Sequence, residues 1–154
     1  MNLSVDPGLC EIFADTAKHK AIREIIYRHS TNKLDVRGYA LEGLNLESAN
    51  EILDLGCGFG FFTLSLKNKV PLNAAVIGID RISQNRASFL DACRSIGIKG
   101  KFNGSGIDSI KTLPSNRFEL ILCSYALYFF PEIMFQIGAL VLTGFIVDDP
   151  SHSF

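Results

Sequence analysis

The sequence contains no tryptophan and only two methionines, and its four cysteines, Cys10, Cys57, Cys93 and Cys123, stand far apart. No Cys-x-x-Cys pair or Cys/His cluster occurs, so no metal site is expected. The start carries no signal-peptide pattern, and reduced thiols in a cytoplasm are the simplest reading. An excess of positive charge is also missing: 15 Lys and Arg face 16 Asp and Glu, for a formal net charge of −1. That balance gives no footprint of a phosphate-backbone binder and disfavours a nucleic acid partner unless another protein delivers it. An uninterrupted apolar run of about 20 residues, the length a spanning helix needs, is absent too. Pro131 and Glu132 split the most apolar part of the chain into "LILCSYALYFF" and "IMFQIGALVLTGFIV". No membrane span is expected. The first piece reads as a buried strand running into a loop, the second as a helix opened by Pro131 and followed by Gly144 and a strand.

What remains is a chain of 154 residues, enough for one compact domain. Residues 1–49 read as an N-terminal helical cap and connector, and 50–154 as the core. In residues 9–28, Leu9, Ile12, Phe13, Ala17, Ala21, Ile25 and Ile26 repeat at helical spacing, which predicts a packing helix with one apolar face. Residues 31–46 are irregular, with a short helical turn near Tyr39 to Leu41. Residues 50–55 and 74–80 are short apolar runs suited to buried parallel strands. A helix is predicted over 61–69 and another over 83–96, stopped by Gly97. A weaker strand near 100–103, a polar loop to Asn116 and the strand 118–123 follow. Strands alternating with helices imply an α/β, doubly wound, mainly parallel sheet of about five strands with helices on both faces.

Between the first strand and the first core helix, "EILDLGCGFG" places Gly56, Gly58 and Gly60 at every second position. A strand-to-helix turn built of glycine takes positive φ and lets a ligand lie against bare backbone, although such a turn also occurs for purely structural reasons. Asp80 ends the next strand, 20 residues after Gly60. An acid at that place accepts hydrogen bonds from both hydroxyls of a ribose, which points to a nucleoside-containing ligand. A dinucleotide fingerprint would need glycine at position 61, where Phe61 stands, and a P-loop would need a lysine before Thr63, where Phe62 stands.

The stretch "LDLGCGFG", followed in order by Asp80 and "RFELILCSYALYFF", resembles the class I S-adenosylmethionine-dependent methyltransferases. The resemblance covers roughly residues 50–147. It implies a Rossmann-like core that binds S-adenosyl-L-methionine. Gly56, Cys57, Gly58 and Gly60 would then form the turn against the methionine portion, with Asp54 holding its ammonium group. Asp80 would take the ribose hydroxyls, with Arg81 and Ile82 beside it and Ile82 against the adenine. Asp108 would accept from the adenine amino group, a place for which Ser105 competes, and Ser124 and Tyr125 would face the methyl donor, unless Tyr125 only packs the strand end. No catalytic residue is singled out. His19, His29 and His152 lie outside these motifs and read as surface or helix residues, with His29 able to reach the site if the first helix covers it. The fourth strand ends in "CSYA" and not in the NPPY or DPPY of many amino-group methylating members.

The same resemblance leaves "FIVDD" as an apolar fifth strand without the last helix and antiparallel pair of the family. A second copy or a partner chain is expected to cover that edge, or the chain is a truncated fragment, or it binds the cofactor poorly. The functional expectation is therefore methyl transfer to a small-molecule or protein acceptor. A catalytically inactive cofactor-binding partner subunit stays open beside it, and an NAD-dependent oxidoreductase is the more distant reading.

Overall fold

A computed structural model describes residues 15–31, 33, 35–123 and the strand 141–148. Two helices come first, α1 (Thr16–His29) and α2 (Val36–Ala40). Each starts at an aspartate whose side chain accepts from a backbone N–H of the first turn: Asp15 from Lys18, Asp35 from Arg37. The core then runs β1 (Glu51–Leu55), α3 (Phe61–Leu64), β2 (Ala75–Ile79), a 3-10 turn Ser83–Asn85 leading into α4 (Arg86–Ser95), β3 (Lys99–Asn103), a 3-10 helix Ile107–Thr112, β4 (Phe118–Cys123) and β5 (Val141–Asp148).

The five strands are all parallel and ordered β3-β2-β1-β4-β5. Because successive side chains point to opposite faces, the central strands feed two separate cores. Ile52, Val76, Phe102, Leu120 and Leu122 join Phe62 of α3 and Phe89 and Cys93 of α4 on one side. Leu53, Leu55, Ile77, Ile79, Ile121 and Cys123 meet Ile110 of the 3-10 helix on the other. Burial on both faces explains why these strands read as continuous apolar runs. From β1 the chain moves outward through β2 to β3, then returns to the other side of β1 as β4. That reversal makes a crevice beside the carboxyl end of β1, the place where open α/β sheets bind ligands.

Several boundaries differ from the sequence reading. The helix expected over 61–69 is only Phe61–Leu64, because the N–H groups of Ser65, Leu66 and Lys67 bond three residues back and tighten the chain into turns. The polar loop before β4 contains a 3-10 helix. The fifth strand begins at Val141, paired with Phe118, three residues before the Gly144 that was expected to precede it. Leu9, Ile12 and Phe13 lie outside the described residues. The remainder of that apolar face is not packed as expected: Ile25 and Ile26 of α1 are 58% and 62% exposed. Among the described residues no helix is long and apolar enough to cross a membrane. Residues 124–140, including Ser124, Tyr125 and the helix expected after Pro131, lie outside the described residues.

Candidate functional site

The crevice is floored by the glycine turn that joins β1 to α3. Gly56, Gly58 and Gly60 have φ of 69°, 47° and 79°. The N–H groups of Gly56 and Cys57 both donate to the carbonyl of Ile79, at 2.8 and 3.2 Å, so the turn is strapped to the end of β2. The glycines do different work. A side chain at Gly60 would put its Cβ 2.8 Å from Ala92 Cβ and against Phe89, so this glycine lets α4 approach the turn. At Gly58 the only atom among the described residues near a Cβ would be the Gly56 carbonyl oxygen, 4.0 Å away, which leaves bare backbone open to a ligand on their side.

Asp80 follows β2 directly and organises the rim. Its Oδ2 accepts from the Gly58 N–H and its Oδ1 from the Ile82 N–H, both at 2.8 Å. Its own N–H donates to the Asn103 carbonyl at 3.1 Å, tying in β3. Burial raises its carboxyl above the ordinary value, and the two backbone donors pull the other way. One half-buried acid thus joins three strand ends and still offers lone pairs, since each carboxylate oxygen accepts more than one donor.

Asp54 lies below the turn, 1% exposed, on the same strand as the wholly buried Leu53 and Leu55. The Thr63 hydroxyl donates to its Oδ2 at 2.6 Å. Burial pushes the carboxyl up to about 7, the Thr63 bond opposes this, and the charge of Asp80 adds to the rise. Such a group gains most from a cation beside it, which would restore its ionised form. Cys57 is buried, and burial raises its thiol strongly, with Asp54 and Asp80 adding to the effect. It is a packed, unreactive thiol, as its reading as a small apolar filler requires.

The structure joins Gly56, Cys57, Gly58, Gly60, Asp80 and Ile82 through the bonds of the turn and rim, with Asp54 beneath them bonded to Thr63. Arg81 lies against the next loop, with its Nε 3.5 Å from where a Cβ on Gly106 would sit. Asp108 falls on the 3-10 helix Ile107–Thr112. Ser124 and the side chain of Asp108 are outside the described residues. Ser105 is anchored by its backbone N–H to Asn103 Oδ1 at 2.9 Å.

Three contributors escaped the sequence reading. Thr63 is the first: its signal is a hydroxyl one turn into the helix after the glycines, placed to point back at the strand end. The second is a row of rings, His19 to Phe59 at 5.5 Å and Phe59 to Phe61 at 5.7 Å, ending with the Arg37 guanidinium 5.9 Å from Phe61. His19, ten residues before His29, is therefore the histidine that touches the turn, while His29 is exposed at the end of α1. No spacing in the sequence joins positions 19 and 59. The third is Asn85, whose N–H donates to the Ile82 carbonyl at 3.1 Å and whose buried Oδ1 has no hydrogen-bond partner among the described residues. A buried acceptor of this kind costs about 1–3 kcal/mol until something donates to it.

Residues 52–138 match the family described as methyltransferase domain. Among solved structures, a TehB-like SAM-dependent methyltransferase from Corynebacterium glutamicum is similar with a TM-score of 0.60 and 18% identity, covering 93% of this chain and 73% of its own. A SAM-dependent methyltransferase from Thiobacillus denitrificans, solved in complex with S-adenosyl-L-homocysteine, gives 0.51 and 17%, covering 71% of this chain and 44% of its own. The YcgJ protein from Bacillus subtilis gives 0.51 and 18%, covering 69% and 45%. The chain thus spans about half the length of the latter two, and at these identities the likeness is one of fold. No curated protein sequence matches the chain.

Proposed function

The chain belongs to the methyltransferase domain family, and from that premise we propose that its crevice binds S-adenosyl-L-methionine and serves methyl transfer to a small-molecule or protein acceptor. The observation that carries this reading is the bond from the Gly58 N–H to Asp80, which fixes an open stretch of glycine backbone beside a half-buried carboxylate. The residues present fit the cofactor. Gly56 and Gly58 offer backbone to its methionine portion, while Gly60 holds α4 in place behind them. Asp54 matches the ammonium group, because a buried carboxyl poised near 7 is stabilised as a carboxylate by an adjacent cation. Asp80 takes the ribose hydroxyls on its remaining lone pairs, with Arg81 and Ile82 flanking the nucleoside and Asp108 and Ser124 completing the contacts. When bound, the sulfonium supplies an electrophilic methyl group. What the chain must then contribute is alignment of the acceptor and exclusion of water. Residues 1–49 act as a cap on the core formed by 50–154, a role supported by the ring contact between His19 and Phe59.

Calorimetric titration of the chain with S-adenosylmethionine and S-adenosylhomocysteine tests the proposal. Asp80→Ala is expected to weaken both by about ten- to a hundredfold, the loss of about 1.5–3 kcal/mol from poorly paired polar groups. Unchanged affinity in that variant would remove Asp80 from the site, and binding of NAD in place of either ligand would overturn the cofactor assignment. Incubation of a metabolite and protein extract with methyl-labelled cofactor then separates transfer from cofactor binding alone, the behaviour of a non-catalytic partner subunit.

A further inference from the structure

The helix α1 carries none of the residues assigned to the cofactor. It contains Lys18, Lys20, Arg23 and Arg28 against a single acid, Glu24, giving it a formal charge of +3 in a chain whose total is −1. The one acid is itself paired with Arg28 at 2.8 Å. Ile22, Ile25 and Ile26 follow the i, i+3, i+4 spacing of one helix face. They are 43%, 58% and 62% exposed, and Tyr27 beside them is 61% exposed. Six large apolar side chains are exposed among the described residues, and four of them are on this helix. The apolar surface is thus concentrated where the positive charge is.

A cationic helix with an aliphatic stripe is complementary to a surface that presents negative charge and hydrocarbon together. A nucleic acid supplies the charge without the hydrocarbon, and a neutral apolar groove supplies the hydrocarbon without the charge. We infer that α1 is an interfacial helix that docks the protein on an anionic lipid surface, its net positive charge drawn to the headgroup phosphates through the exposed Lys18 and its isoleucines at the acyl boundary. Its 14 residues rise about 21 Å, short of the roughly 30 Å of a bilayer core, so the helix lies in the plane of the surface and does not cross it. Because His19 of the same helix rests on Phe59, docking holds the glycine turn close to the lipid. The inference does not depend on methyl transfer and is tested apart from it.

The test is co-sedimentation of the whole chain with vesicles of phosphatidylcholine alone and with about one-third phosphatidylglycerol, at about 0.1 M and about 0.5 M salt. Binding is expected to the anionic vesicles only, with release at the higher salt. Lys18→Ala should lower partitioning about fivefold, the effect of one basic residue near such a surface. The double variant Ile25→Gln, Ile26→Gln should abolish most binding while melting at the temperature of the parent chain, since both positions are exposed. Equal binding to both vesicle types, no binding to either, or binding untouched by the double variant would overturn the inference. A double variant that melts well below the parent would also overturn it, by assigning this face to packing within the chain, for instance against residues 1–14 or 124–140. Preferential capture of single-stranded RNA over vesicles would do the same by naming a different polyanion.

Discussion

Ile52, Leu53 and Leu55 of β1 are fully buried, while Ile25 and Ile26 of α1, residues of the same chemistry in an equally regular pattern, are more than half exposed. The strand has neighbours on both sides and layers above and below. Among the described residues, the helix meets the core where His19 packs against Phe59. Periodicity tells which side chains share a face; whether anything covers that face depends on the rest of the chain. The difference also divides the molecule by consequence. At the carboxyl ends of β1 and β2, backbone, carboxylates and glycines are mutually constrained, so small changes should be felt widely. On α1 a change should alter what the protein touches and leave its stability alone.

The largest effect that would sharpen this contrast is expected at Gly60. Gly60→Val would place a branched side chain into Ala92 and Phe89 at a φ of 79°, and at least about 3 kcal/mol of stability should be lost in urea unfolding. Gly58→Val, two residues earlier, meets no closer atom among the described residues than the Gly56 carbonyl oxygen at 4.0 Å from its Cβ. It should cost about 1–3 kcal/mol for its left-handed backbone at φ 47° and leave the circular dichroism spectrum intact, while abolishing binding of S-adenosylhomocysteine. A Gly58→Val chain that unfolds as Gly60→Val does would break the division between ligand-facing and packing glycines.

Next in size is the pair of Thr63 and Asp54. Thr63→Val removes a buried donor at 2.6 Å and should cost about 1–3 kcal/mol in the same assay. It should also raise the Asp54 carboxyl further, because that bond is what lowers it. A Thr63→Val chain as stable as the parent would show that Asp54 needs no partner there.

The pH dependence follows from the same group. A carboxyl whose folded value is raised favours the folded chain while it is protonated. Its contribution is fully present below 3.8 and is lost as the pH climbs through about 7. Asp80 is shifted in the same direction. The urea midpoint of the ligand-free chain should therefore be lower at pH 8 than at pH 5.5, and Asp54→Asn should flatten the difference. Ligand binding carries the opposite dependence. An ammonium beside Asp54 favours the carboxylate, so affinity for S-adenosylhomocysteine should fall below pH 7, by up to about tenfold per unit, with proton release measurable in two buffers. Affinity that is flat between pH 5.5 and 8 would remove Asp54 from the ammonium site.

The smallest stability effect is expected on α1, where Ile26→Gln should change stability by no more than about 0.5 kcal/mol. A loss of 2 kcal/mol or more, the order of a vacated core position, would erase the contrast between the two regions.

Much of the core was legible in advance. The strand 118–123 stands where its apolar run places it, and β1, β2 and β3 fall within a residue of theirs. These strands are buried on both faces, so their composition alone separates them from their surroundings. The helix after the glycines was overestimated, because its apolar residues continue past Leu64 into turns that bury Leu66 with bonds three residues back in place of the four of an α-helix. The parallel α/β sheet was readable from the alternation of strands and helices and the ligand-binding turn from its glycines, whereas the strand order β3-β2-β1-β4-β5 came from the structure.

Three chemical facts were fixed by the sequence itself: glycine where the turn needs positive φ, a carboxylate within β1, and another at the end of β2. Local rules act over a few residues, so a local pattern suffices to state them. The tertiary structure decided what no spacing contains. It joined Asp80 to Gly58 across 22 positions, set His19 on Phe59 across 40, gave Gly60 to α4, kept Gly58 clear of the other described side chains, and left the isoleucines of α1 uncovered. The physical reason is that hydrogen bonds, burial and the dielectric around a carboxyl depend on atoms brought close by the whole fold, and the distance between two residues along a chain does not determine their distance in space.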